Sequence, residues 1–208
     1  MAVKVLNNPL LVHLVNSLRP KSVKPFEFRV TLKEIGKLSL PFLLEGFKLN
    51  TKTVLTWKGN YEFGFLKEDN FVVLAVLRAS LPMAEGMLEV LKNGVAGFVG
   101  AKRDEKNLKS CIYYKRYPPL EGKTVIIPDP MLATGSTIEL VLEEVLKEDP
   151  KRVITLHCVA SPEGIKRITE RFPKVEVYTI AIDQGLDENG FIVPGLGDAG
   201  DRAFNTEY

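Results

Sequence analysis

Cysteine and histidine are scarce in this chain of 208 residues, and the few present stand apart: Cys111 and Cys158, His13 and His157. None of them has the short spacing of a metal-ligand set. No zinc site and no disulfide scaffold is expected, and the sequence reads as that of a cytoplasmic protein kept reduced. Each histidine reads as a structural one. A dominant charge is missing too, since 28 Lys and Arg are nearly balanced by 26 Asp and Glu for a formal charge of +2. A dedicated nucleic-acid module would carry a strong basic excess, so no nucleic-acid partner is expected. No apolar run approaches the roughly 20 residues that cross a bilayer, and Met1-Ala2-Val3-Lys4 lacks the layout of a signal peptide. Repeats, low-complexity tracts and linker-like stretches are absent as well. The expectation is a membrane-free protein with one domain over residues 1–208.

What is present is an order of elements. Pro9 to Arg19 opens with proline and spaces Leu11, Leu14, Val15 and Leu18 as a helix does. Phe26 to about Lys48 reads as one long or two short helices, with Gly36 and Pro41 as breaks. Thr51 to Trp57 and Tyr61 to Leu66, joined across Lys58-Gly59-Asn60, read as a hairpin. From Phe71 the pattern alternates. The continuous apolar run Phe71 to Leu77 suits a strand buried on both faces, and Pro82 then opens a helix. Strands follow at Gly94 to Gly100, Lys123 to Pro128, Arg152 to Ala160 and Val175 to Ile182. Helices run from Thr137 to Lys147 and from Pro162 to Arg171. Alternation of this kind predicts an α/β fold with a mostly parallel twisted sheet covered by helices. Ligands in such folds bind beyond the carboxyl ends of the strands.

The strand Lys123 to Pro128 runs into Asp129-Pro130-Met131-Leu132-Ala133-Thr134-Gly135-Ser136-Thr137, and a helix follows at once. A loop feeding a helix N-terminus offers unpaired N–H groups and the positive end of the helix dipole to an anion. Gly135 lets the backbone come close, and Thr134, Ser136 and Thr137 add hydroxyls. An Asp at the strand end suits ribose hydroxyls rather than phosphate. Taken alone, the loop could also be a helix capped by Thr134 or Ser136. It is not a P-loop, because no Lys follows the glycine. Leu77-Arg78-Ala79-Ser80 ends the first apolar strand, and an Arg placed there needs an anion or a carboxylate. Ala101 to Pro119, rich in Lys, Arg and Tyr, reads as a hairpin flap over a polyanion, with Lys102, Lys106 and Lys109 as solvated charges. Near the end, Gly190, Gly195, Gly197 and Gly200 alternate with Asp198 and Asp201, as in a rigid loop whose bare backbone reads a small planar ligand.

These motifs resemble the type I phosphoribosyltransferases, and their wording resembles the uracil phosphoribosyltransferases. DPMLATG is similar to the loop of that branch, with Ser136 for a Gly and Thr137 for a Ser. Leu77 to Met83 resembles its LRAGLxM pyrophosphate loop. VGAKRDEKNL resembles VGMYRxExTL and matches Arg103 to a substrate-binding Arg, while YYKRYP resembles the return strand YYxKLP. Ala181 to Thr206 resembles IDxGLNxxGYIxPGLGDAGDRxFGT, the uracil-binding hood, with Phe191 for Tyr and Asn205 for Gly.

The resemblance implies an enzyme that transfers the phosphoribosyl group of 5-phosphoribosyl-1-pyrophosphate (PRPP) to uracil, giving UMP and pyrophosphate in pyrimidine salvage. It implies that Arg78, Arg103, Asp129 to Thr137 and Asp198 hold PRPP. Uracil falls to Ile192, Gly197, Asp198 and Ala199. Asp183 and Asp201 are read as carboxylates that brace the loop. Mg²⁺ is implied as a substrate-bound ion rather than one held by a protein cluster. The family implies a homo-oligomer, a dimer or larger, and for some members an allosteric response to GTP; no residue pattern decides either point. Within the chain, helices and hairpin occupy 1–70, the α/β core 71–182 and the hood 183–208. Transfer to orotate or a purine, and an RNA-binding regulator built on the same fold, are the alternatives. The hood lacks a cation for orotate's carboxylate, and the near-neutral charge argues against RNA.

Overall fold

Asn8 begins the helical part of the molecule by capping: its side chain accepts from the N–H groups of Leu10 and Leu11. Before it lies β1 (Lys4–Val5), and after it α1 (Pro9–Leu18). The computed structural model describes residues 3–103 and 110–206, with side chains described over 3–101 and 111–206.

α2 (Pro25–Leu43) is one helix that passes through both residues read as breaks. The reason for Gly36 is contact rather than interruption. A Cβ there would lie 2.2 Å from the carbonyl oxygen of Met83, and one on Gly86 would lie 2.0 Å from that of Lys33. These two glycines let α2 and the helix of Met83 cross backbone to backbone. Pro41 falls in the last turn, where the helix has few further bonds to lose.

β2 (Asn50–Thr56) and β3 (Gly59–Phe65) pair antiparallel, with the turn at Trp57 and Lys58. β4 (Phe71–Leu77), α3 (Leu81–Val90), β5 (Val95–Arg103), β6 (Ser110–Arg116), β7 (Thr124–Pro128), β8 (Met131–Leu132) and α4 (Ser136–Val145) follow. The chain continues with β9 (Arg152–Ala160), α5 (Pro162–Arg171), β10 (Glu176–Ile182), β11 (Gly185–Leu186), β12 (Ile192–Val193) and α6 (Ala199–Phe204). The short β1, β8, β11, β12 and α6 are elements the periodicity does not announce.

The main sheet runs β1-β10-β9-β7-β4-β5-β6, and β8 pairs with β9 beyond the end of β7. All of these pairings are parallel except that of β6 with β5. Helices cover both faces, which is why the strands read as continuous apolar runs. On one face Val73, Ile126 and Leu156 pack with Phe28, Leu32 and Met83 of α2 and α3. On the other, Val72, Val125 and Ile127 pack with Ile138, Val141 and Ile168 of α4 and α5. From β4 the chain moves outward to β5 and β6 on one side and later to β7, β9 and β10 on the other. The switch point therefore opens between the ends of β4 and β7, at Arg78 and Asp129. Open parallel sheets place ligands at that crevice.

Candidate active site

Beyond Pro128 the chain does not leave the sheet freely; it is stitched to the end of β9. Asp129 donates its N–H to the carbonyl of Leu156 at 2.9 Å, and the carbonyl of Pro130 accepts from Cys158 at 3.0 Å and Val159 at 3.1 Å. Ser161 then grips the loop from below. Its N–H donates to Leu132 at 2.9 Å, and its hydroxyl donates to the Ala133 carbonyl at 2.6 Å while accepting from Gly164 as the cap of α5. Gly164 packs so closely that a Cβ would lie 2.3 Å from the Ala133 oxygen. With its backbone fixed, the loop turns at Gly135, whose φ of 77° is left-handed, and α4 starts at Ser136. The cap position thus belongs to Gly135 rather than to Thr134 or Ser136. The hydroxyls of those two lie 3.0 Å from each other. The Ser136 N–H makes a long 3.4 Å contact to the Thr134 hydroxyl, and the N–H groups that follow it in the first turn of α4, with no intrahelical partner, are available to an anion.

The carboxyl of Asp129 sits in this frame with little to stabilise its charge. Its one hydrogen bond among the described residues is a long contact of 3.4 Å from the Met131 N–H, and burial pushes its pKa up to about 7. Behind it, the fully buried His157 holds the Asp129 carbonyl through Nδ1 at 2.9 Å. Burial lowers the pKa of His157 to about 4, so the ring is neutral and Nδ1 donates. Its Nε2 is buried without a partner among the described residues.

Across the crevice Arg78 extends from the end of β4 toward the C-terminal segment. It pairs with Asp201 at 2.9 Å and donates to the Thr206 hydroxyl, also at 2.9 Å. Arg78 therefore meets the carboxylate that its strand-end position demands, while about half of its side chain stays exposed.

The glycine-rich segment is braced rather than loose. Asp183 takes a bidentate contact from Arg19 at 2.8 and 3.0 Å and accepts from the Gly195 N–H at 2.8 Å. Arg202 donates to the carbonyls of Leu196 and Pro20 and stacks over the Phe28 ring. Leu196, Ile192 and Ala199 are buried beneath it. Asp198 is exposed and caps α6, accepting from the Asp201 N–H at 2.9 Å. Asn205, where the family pattern has Gly, adopts a left-handed φ of 54°, a conformation that Asn tolerates better than most residues.

Arg78, Asp129, the loop and the glycine-rich segment enclose one cleft of about 630 Å³. Of the residues singled out in the sequence, Arg78, Asp129, Met131, Ala133, Thr134, Ser136 and Thr137 line it from one side, and Gly197, Asp198 and Ala199 from the other. Pro130, Leu132 and Ile192 are buried behind its wall, and Gly135 supplies the turn. Arg103 ends β5, but its side chain and that of Lys102, like the whole of Lys106 and Lys109, lie outside the described residues. Tyr113 and the turn Asn189 to Phe191 also line the cleft, though the sequence reading gave them no ligand; Ser161 and His157 brace it from behind. The histidine is structural, as its isolation suggested; what the sequence does not show is that its contact is the Asp129 carbonyl. Among the described residues no cluster of three or more His, Cys, Asp or Glu could hold a metal.

Comparison with known proteins agrees with this geometry. The family model described as "Uracil phosphoribosyltransferase" matches residues 5–206. A uracil phosphoribosyltransferase of Aquifex aeolicus is 46% identical over 199 residues, covering 96% of each chain. One of Campylobacter fetus is 38% identical over 207 residues, covering 99% of each. A solved structure of an Aquifex aeolicus protein superposes with a TM-score of 0.96 at 44% identity, covering 99% of both chains. A purine phosphoribosyltransferase of Pyrococcus horikoshii gives 0.51 at 20% identity, covering 74% of this chain and 83% of that one. That likeness concerns the fold alone.

The raised pKa of Asp129 has a consequence for stability, and its sign is fixed. The folded protein holds this proton more tightly than the unfolded chain, so stability falls as pH rises from about 4 to about 7. Asp129→Asn removes the titration. The variant is expected to be more stable than the parent at pH 8, and its advantage should shrink by about 2–3 kcal/mol at pH 5. Urea unfolding of both proteins at the two pH values measures it, and an advantage that does not change with pH would show an Asp129 with an ordinary acidity.

Proposed function

The chain belongs to the uracil phosphoribosyltransferase family, and on that premise we propose how its cleft performs the family's reaction. The enzyme is a pentosyltransferase: N1 of uracil attacks the anomeric carbon of PRPP, the carbon–oxygen bond to pyrophosphate breaks, and the N1 proton is lost as UMP forms. The observation that carries the reading is the meeting, in one cleft, of a helix N-terminus, a strand-end carboxyl, an arginine and a glycine-rich wall.

In this reading the 5-phosphate lies on the N–H groups and hydroxyls of Thr134 to Thr137, where donors and helix dipole both favour an anion. Asp129 accepts from the ribose hydroxyls. Its high pKa in the free protein then falls, because hydrogen bonds to the charged form favour that form. Arg78 faces the pyrophosphate, with Arg103 from the flap as its companion, and both stabilise the negative charge that departs. The backbone of Ile192, Gly197 and Ala199 reads uracil, and Asp198 turns its charge toward the sugar. Positioning accounts for most of the acceleration, since no nucleophile on the protein is required.

Mg²⁺ fits this donor set as an ion that arrives with PRPP. The cleft offers the two separate carboxylates Asp129 and Asp198 rather than a cage, and Mg²⁺ retains waters and substrate oxygens readily. When bound it would neutralise pyrophosphate charge.

The proposal extends to the whole chain: one domain in the cytoplasm, with 1–70, 71–182 and 183–208 as its parts, acting as a homo-oligomer. What supports association is the β2–β3 hairpin, on which Leu55 is 78% and Trp57 90% exposed beside exposed Tyr61, Phe63 and Phe65. An apolar two-stranded hairpin of this kind is marginal in water, and burial against a second copy would cover it.

Two measurements test the site. In a panel of bases offered with PRPP, uracil is expected to be strongly preferred over orotate, cytosine and adenine; comparable kcat/KM for orotate or adenine contradicts the assignment. Asp198→Asn separates fold from chemistry. Asn caps a helix about as well as Asp, so the melting temperature should scarcely move. kcat/KM for PRPP should fall roughly 10–1000-fold with the lost charge, while uracil affinity is largely kept. Full activity in the folded variant would place Asp198 outside the reaction.

A further inference from the structure

Tyr113 stands out of the ladder that should contain it. Gly100 pairs with Tyr114 and Ala101 with Ile112, so between these pairs β6 carries one residue more than β5, and that residue is Tyr113. A bulge of this kind turns a side chain away from the alternation of its strand, and bulges gather next to active sites. Here the ring folds back across β5. A Cβ on Gly100 would lie 2.5 Å from Cζ of Tyr113 and 2.9 Å from its hydroxyl oxygen. The glycine is therefore the seat of the ring. Gly100 in turn pairs with Leu77, the residue before Arg78, so the phenol is held at the strand ends on the Arg78 side of the crevice.

The ring is not there to fill the core, since Tyr113 is 58% exposed and lines the same cleft as Arg78 and Asp129. Its hydroxyl has no hydrogen-bond partner among the described residues, whereas the Thr206 hydroxyl is engaged with both Arg78 and Asp201. A seated donor without a partner, lining the same cleft as the arginine that the proposed mechanism gives to pyrophosphate, is arranged to serve the same anion.

We propose that Tyr113 is a further substrate-binding residue, whose hydroxyl donates to the pyrophosphate end of PRPP while Gly100 keeps the ring in place. The inference rests on the reading of the Arg78 end of the cleft as the pyrophosphate subsite.

Tyr113→Phe removes the hydroxyl and keeps the ring, so folding is not at stake. The probe is inorganic pyrophosphate, measured in the full-length protein as an inhibitor competing with PRPP. The inhibition constant for pyrophosphate and the KM for PRPP are each expected to rise about 5–30-fold, as for a lost hydrogen bond to a charged group. The KM for uracil at saturating PRPP is expected to stay unchanged. Arg78→Gln run in parallel separates two failures. If Arg78→Gln weakens pyrophosphate and Tyr113→Phe does not, Tyr113 is no ligand and the subsite stands. If neither variant changes it, the subsite lies elsewhere and the proposal falls with it. A Tyr113→Phe defect of equal size toward uracil would also overturn the proposal, by placing the ring in general wall packing.

Discussion

The Asp129 carboxyl ends a buried parallel strand, with one long hydrogen bond to steady its charge and no cation paired to it among the described residues. It is only partly reached by solvent, in the wall of the cleft. What fixes it there is the stitching of residues 129 to 133 onto the end of β9, where Leu156, Cys158, Val159 and Ser161 each hold a backbone group of the loop. His157 adds a grip on the Asp129 carbonyl itself. The cost of the strained electrostatics is met by hydrogen bonds and packing elsewhere, as is usual at sites made ready for a ligand. The same stitching aims the N-terminus of α4, so the carboxyl and the helix terminus to which the proposed mechanism assigns ribose and phosphate are positioned by one device.

The opposite wall depends on a separate set of charges. Arg19 with Asp183 and Arg202 with the carbonyls of Leu196 and Pro20 tie the glycine-rich segment to the N-terminal helices. Arg78 with Asp201 and Thr206 ties it to the end of β4. Glycine lets this backbone approach a ligand, and the arginines remove the freedom that glycine would otherwise leave. The first seventy residues, far from the loop motif in sequence, thereby help to shape the cleft.

The α/β core was legible because buried parallel strands write themselves as largely apolar runs: Phe71–Leu77, unbroken, and Arg152–Ala160, interrupted by Thr155 and His157, appear at the residues read from sequence. α2 was harder to read. Gly36 looks like a break in sequence, and only the crossing with α3 reveals that it is needed where two backbones meet. The loop, Arg78 and the hood were legible through their motifs. Tyr113 and His157 were not, because their roles come from a bulge and from a strand-end contact, neither of which has a periodic signature. Asp198 was read as a loop carboxylate near the sugar; that it also caps α6 could be seen only once the helix was in view.

The central claim is that the free enzyme holds the Asp129 carboxyl in a setting that a bound sugar relieves. Carbon-13 NMR of the Asp carboxyl carbons, with the Asp129 signal assigned by its loss in Asp129→Asn, measures this directly as a function of pH. The account predicts a midpoint near 7 for the free protein and a clearly lower one with PRPP bound. A midpoint near 4 in the free protein, unchanged by PRPP, would contradict it.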